Sequence, residues 1–249
     1  MDPEKGALGG ISSSLRAELE PKHAELLLYA CCLTSGLVDS TIYRAYNTFV
    51  SMQTGNTVFV GLGTSHQNLR SYGWLRSATS IGTFILGSFV FSRIHSLLGP
   101  RRRGSLMLSF MLQASLILLT AGLIEGGAVS SKLDSKLSQA VPPFDQEVPI
   151  VLLSFQAAGQ IVASRALGFN EIPTVVITSL LCDLMSDPQV FMIRNVKRDR
   201  RVVAFVLTLV GAIVGGWVTK VTMAISPILW LSAGIKGLLV LAWAFWKAK

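Results

Sequence analysis

The residues that could do chemistry in this chain are a few polar groups set inside long apolar runs. Asp39 follows Gly36-Leu37-Val38 in the first run, and Lys236 stands halfway along the last, 226–246, beside Gly234 and Gly237. Asp183 lies near the end of a short run, 172–187, next to Cys182, and reads equally as an interfacial residue. A charge at the centre of a membrane helix costs roughly 2.5–3.5 kcal/mol, so each of the three should face protein or water and have a partner. Asp39 reads either as a proton- or cation-linked carboxylate or as an interfacial capping group. Lys236 reads as a counter-ion to Asp39 or Asp183, or as a binding group for an anionic solute; the bland alternative is a lysine in a polar cavity or near an interface. Thr54-Gly55-Asn56 admits two roles. Gly55 lets backbones approach or a helix unwind, while Thr54 and Asn56 either line a polar path or glue helices together. Gln156 and Gln160, four residues apart, share one helical face and would join such a path. Gln113 is isolated and reads as a packing hydrogen bond.

Other chemistries find little support. Cys31, Cys32 and Cys182 make no disulfide framework, and two of them are neighbours in an apolar run. His23, His66 and His95 have no second ligand at metal-binding spacing, so neither a metal nor a cofactor is expected. No Ser/His/Asp set or aspartate pair on adjoining spans is legible, and the chain is not read as an enzyme. The charge of +8 would suit nucleic acid. Its basic runs, Arg101-Arg102-Arg103 and Arg194 to Arg201, lack aromatic interleaving and fit anionic lipid instead.

The elements that must hold these residues follow from composition. With 51% hydrophobic and 14% charged residues over 249, and mean hydropathy +0.53, the chain has too little polar surface for a water-soluble globule. Apolar runs at 24–43, 48–63, 72–98, 104–124, 148–168, 172–187, 202–220 and 226–246 predict an all-α polytopic transmembrane bundle, since a backbone in hydrocarbon must satisfy itself. Pro173 and Pro227 suit first helical turns. At 16 residues each, 48–63 and 172–187 reach about 24 Å against the ~30 Å of hydrocarbon, which predicts short or re-entrant helices and six full spans. That count puts 15 Lys/Arg on the inner side and 6 on the outer, with Lys236 in neither, and both termini in the cytoplasm. Residues 1–22 read as a flexible polar tail, 23–249 as one transmembrane domain, and 126–147 as a linker between halves 24–125 and 148–246.

The halves echo each other. Thr54 comes 18 residues after Gly36, and Thr178-Ser179 begins 19 after Gly159. Each short run is followed by a basic loop and a glycine-bearing helix, with Gly82 and Gly87 in one half and Gly211 and Gly215 in the other. Three crossings per half make the second copy inverted, with a site near the midplane where the halves meet. Gly211-xxx-Gly215 and Gly122-xxx-Gly126 read as close helix packing.

Gly36-Leu37-Val38-Asp39, the run Phe49 to Thr57 and the Gly159-Gln160 to Pro173-Thr174 segment together resemble the YoaK-like family, domain of unknown function 1275, over about 24–246. The resemblance implies a membrane fold of about six helices, bacterial or fungal and here read as fungal, and no reaction. Thr178-Ser179 departs from the Thr-Gly of many relatives. The functional expectation is a transporter or permease of a small solute, whose path would use Asp39, Thr54, Gly55, Asn56, Gln156, Gln160, Thr178, Asp183 and Lys236. Its rival is a non-transporting scaffold or receptor, and neither excludes a homo-oligomer. The expected partners are the lipid bilayer and the solute.

Overall fold

The computed structural model describes residues 13–67, 72–129 and 144–249. Eight helices carry the fold: α1 (Glu25–Tyr46), α2 (Gln53–Thr64), α3 (Gly73–Leu98), α4 (Arg103–Glu125), α5 (Glu147–Leu167), α6 (Ile177–Met185), α7 (Val196–Thr222) and α8 (Ser226–Phe245). All but α2 and α6 are long and apolar enough to cross a membrane. The chain is a multi-pass all-α membrane protein.

Contacts at the two ends decide the course of the short helices. The Leu19 N–H donates to Arg101 O at 2.9 Å, the Arg103 N–H to Ala17 O at 3.0 Å and the Lys249 N–H to Glu18 O at 2.9 Å. The N-terminal segment, the α3–α4 turn and the C-terminus therefore share one end, here the tail end. At the opposite end, Arg76 near the start of α3 donates to Tyr46 O, the last residue of α1, at 3.4 Å. Because α3 begins where α1 finishes, α2 does not run the length of the bundle. The same holds for α6. Arg200, in the first turns of α7, pairs with Glu25 at 3.5 Å and with Glu171, just past α5, at 2.6 Å. At the far end Trp230 Nε1 donates to Glu125 at 2.5 Å, joining α8 to α4.

Three expected boundaries shift. The run 48–63 yields only the 12-residue α2, because 47–52 is a turn whose backbone bonds to side chains. The run 172–187 yields the nine-residue α6, and Pro173 stands four residues before that helix rather than in its first turn. Helix α7 begins at Val196, not 202: the Asn195 side chain accepts the Arg198 N–H at 3.0 Å, and the basic run becomes its first turns. Asn195 Nδ2 and the Gln189 N–H donate to Asp187 and hold its carboxyl below the usual range. Residues 13–16 of the expected tail are helical and Leu19 is buried; 1–12, and most of the linker at 130–143, lie outside the described residues.

The long helices pair α1 with α7, α3 with α5 and α4 with α8, while α2 packs on α3 and α6 on α7. Small residues set the closest approach. A Cβ at Gly36 would run into Thr208 O and stand 2.7 Å from Ala212 N, and one at Gly215 would stand 2.7 Å from Leu37 O. Gly87 meets Phe155 O in the same way, at 2.8 Å, between α3 and α5. The expected Gly122-xxx-Gly126 contact is absent: Gly122 faces open space, and Gly126 would meet only its own Gly122 carbonyl.

Two apolar clusters fill the interior. The tail-end cluster includes Leu28, Leu106, Phe110, Ala163, Leu239 and Trp243. The opposite one includes Val38, Ile117, Leu153, Ile225, Leu229 and Ala233.

Candidate functional site

Along α1, α4, α5 and α8 a layer of buried polar side chains, Ser35, Gln113, Gln156, Gln160, Ser232 and Lys236, lies between those clusters. Lys236, 0% exposed, occupies this layer near the middle of α8. Its Nζ donates to Gln113 Oε1 on α4 at 2.8 Å and to Gln160 Oε1 on α5 at 2.7 Å, and lies 3.5 Å from Cys31 Sγ on α1. It also stands 5.3 Å from the centroid of the Phe110 ring, a cation–π distance. The glutamines are held in turn: Gln160 Nε2 donates to Ser35 Oγ, and Gln113 Nε2 to Ser109 Oγ at 3.3 Å. Among the described residues no carboxylate lies within ion-pair distance of Lys236. One turn toward the opposite end, Gln156 Oε1 and Ser232 Oγ are buried and have no hydrogen-bond partner among the described residues.

Asp39 is not the counter-ion of Lys236. Its Oδ1 accepts the N–H groups of Val50 at 2.8 Å and Ser51 at 3.0 Å, and its Oδ2 accepts the Ser51 hydroxyl. Asp39 lies seven residues, about 10 Å of helix, before the end of α1, so the 47–52 turn dips that far back into the bundle. Asn56 closes the turn from the other side. Its Oδ1 accepts Thr48 Oγ1 at 2.9 Å and the Phe49 N–H at 3.1 Å, while Nδ2 donates to Phe49 O and to Gln53 Oε1, both at 2.8 Å. Ser80 on α3 donates to Phe49 O at 2.8 Å and lies 2.9 Å from Ser154 Oγ on α5. Gly55 leaves room for the Phe49 ring, which a Cβ there would approach to 2.9 Å. That ring stacks on Tyr43 at 4.7 Å and Phe59 at 6.2 Å. Unpaired buried N–H groups are costly, so Asp39 and Asn56 are what allow an irregular turn at this depth.

With the geometry in place, a comparison with known families adds one finding. Residues 27–242 match the family described as protein of unknown function, DUF1275. The chain belongs to that family. The Gly-x-x-Asp and Thr-Gly-Asn residues that resembled it are, in this DUF1275 protein, the two braces of the re-entrant turn. No curated protein and no solved structure matches the chain.

The other expected path residues divide. Gln160 is brought to Lys236, and Gln156 to the layer beside it. Thr54 and Thr178 are exposed on α2 and α6, and Asp183 is exposed on α6, so Asp183 is no counter-ion either. The short helices pack on their own long neighbours rather than enclosing a site together. Gln113, read from sequence as isolated, is a direct partner of Lys236. A signal for it existed: Gln113 and Lys236 are each the eleventh residue of their helices, α4 and α8, which pair with one another.

Proposed function

We propose that this protein is a transporter or permease of a small solute, built from two inverted halves that rearrange around the Lys236 layer. The observation that carries the reading is a lysine enclosed halfway along the spans, between two apolar clusters, by side chains from both halves. Intramembrane charges of this kind characteristically mark solute or ion paths. The order long, short, long, long occurs twice, and the pairing α1·α7 with α3·α5 is what exchange of two equivalent halves produces. Excess Lys/Arg at the tail end supports cytoplasmic termini. In this reading the tail-end cluster around Phe110 and Trp243 and the opposite cluster around Ile117 and Leu229 open in turn.

The scaffold reading has its own support, because Asp39 and Asn56 are spent on backbone. Accessibility separates the two without knowledge of the solute. With the native cysteines replaced (Cys31→Ser, Cys32→Ala, Cys182→Ala), Ser232→Cys should react with a membrane-impermeant maleimide applied to either face of oriented vesicles. A folded protein in which this position is labelled from neither face would be a scaffold.

A further inference from the structure

Resting on that reading, we infer that the solute bound at Lys236 is a small monovalent anion. The first ground is charge. Lys236 is fully buried, and all its hydrogen-bonding contacts are neutral groups: two amide oxygens and the Cys31 sulfur. The acid on α1, Asp39, lies eight residues beyond Cys31 and has its oxygens committed to Val50 and Ser51. An ammonium in low dielectric without a fixed carboxylate attracts a mobile one. A single cation balances a single negative charge, which disfavours dianions.

The second ground is the donor set. The Gln113 and Gln160 amide groups and the Ser232 hydroxyl stand within one turn of Lys236, and Ser232 Oγ is buried with no partner among the described residues. A small anion beside Nζ could take hydrogen bonds from this hydroxyl and from a glutamine amide turned inward; the unpartnered Gln156 Oε1 is an acceptor that a cation could use, but a cation there would meet the lysine's repulsion. The Phe110 ring face closes the tail-end side, which favours a compact anion over an extended one.

Halides and small carboxylates share this chemistry, and the experiment has an arm for each. Thermal unfolding of the purified full-length protein in detergent is followed by tryptophan fluorescence during titration with sodium chloride, sodium formate, sodium sulfate or glycerol, with ionic strength held constant by sodium gluconate. Chloride, formate or both should raise the melting temperature by roughly 5–10 °C at a hundredfold excess over the dissociation constant. Sulfate and glycerol, which stabilise folded proteins generally, should raise it no more in the wild type than in Gln113→Glu. Gln113→Glu places a carboxylate where Lys236 already donates; it should raise the melting temperature without added anion and abolish the response. Lys236→Met should also abolish it, and Gln113→Glu keeps the question answerable if that variant does not fold. A wild-type protein indifferent to both monoanions, or a Gln113→Glu protein that still responds fully, overturns the inference. Missing anion stabilisation with Ser232→Cys labelled from both faces removes the anion and leaves transport standing. Anion stabilisation without labelling keeps the site and removes transport.

Discussion

At the scale of single residues, the two intramembrane charges have different work. Asp39 holds a turn together, whereas Lys236 joins four helices through neutral partners. This division makes Asp39 a stability residue first. Asp39→Ala leaves two buried N–H groups unpaired, at about 1–3 kcal/mol each, and should lower unfolding stability by roughly 2–6 kcal/mol. Asp39→Asn keeps an acceptor for those groups and should lose much less. Chemical unfolding of the purified variants measures both, and equal stability of Asp39→Ala and wild type would contradict the bracing role. The types of these residues were legible in the sequence because charges in apolar runs stand out. Their partners were not. Each partner lies on another helix or across the turn, at separations that no periodicity encodes, so Asp39 and Lys236 looked like a pair only because they were opposite in sign.

At the scale of elements, helix count and rough extent were readable from apolar runs, and errors fell where backbone bonds leave the helix. The 47–52 turn is apolar and polar by turns, so it reads as part of a span until the side chains serving its backbone are located. Glycines show the same limit. Gly36 and Gly122 each sit in an apolar helix, yet one abuts the α7 backbone and the other faces open space. Gly36→Ala must push α1 away from α7, since the atoms it meets are backbone, and should destabilise by about 1–3 kcal/mol, the usual range for overpacking. Gly82→Ala has nothing within 4 Å to displace and should be neutral or stabilising by up to ~1 kcal/mol through helix propensity. Melting temperatures of the two variants in the same detergent test the contrast, and a Gly36→Ala protein as stable as Gly82→Ala would show that α1 and α7 can separate freely.

At the scale of the whole molecule, six long helices span the bundle and two short ones return to the end they left. Ser65, just past α2, and Gln189, just past α6, therefore lie at opposite ends. In the cysteine-replaced background, Ser65→Cys should be labelled from one face of intact vesicles and Gln189→Cys only from the other. Labelling of both from one face would mean that the short helices cross after all.

Composition and apolar run length by themselves determined the membrane class and the helix count, and with the basic residues they favoured six crossings, because lipid constrains every residue of a span locally through its own transfer cost and backbone bonds. Which buried polar groups meet was decided only by tertiary structure. Hydrogen bonds reach about 3 Å, so the company Lys236 keeps depends on how α4, α5 and α8 are rotated and offset against each other. Those rotations follow from interdigitated side chains and from glycines whose value lies in what passes over them, and neither is written in the order of residues along one helix.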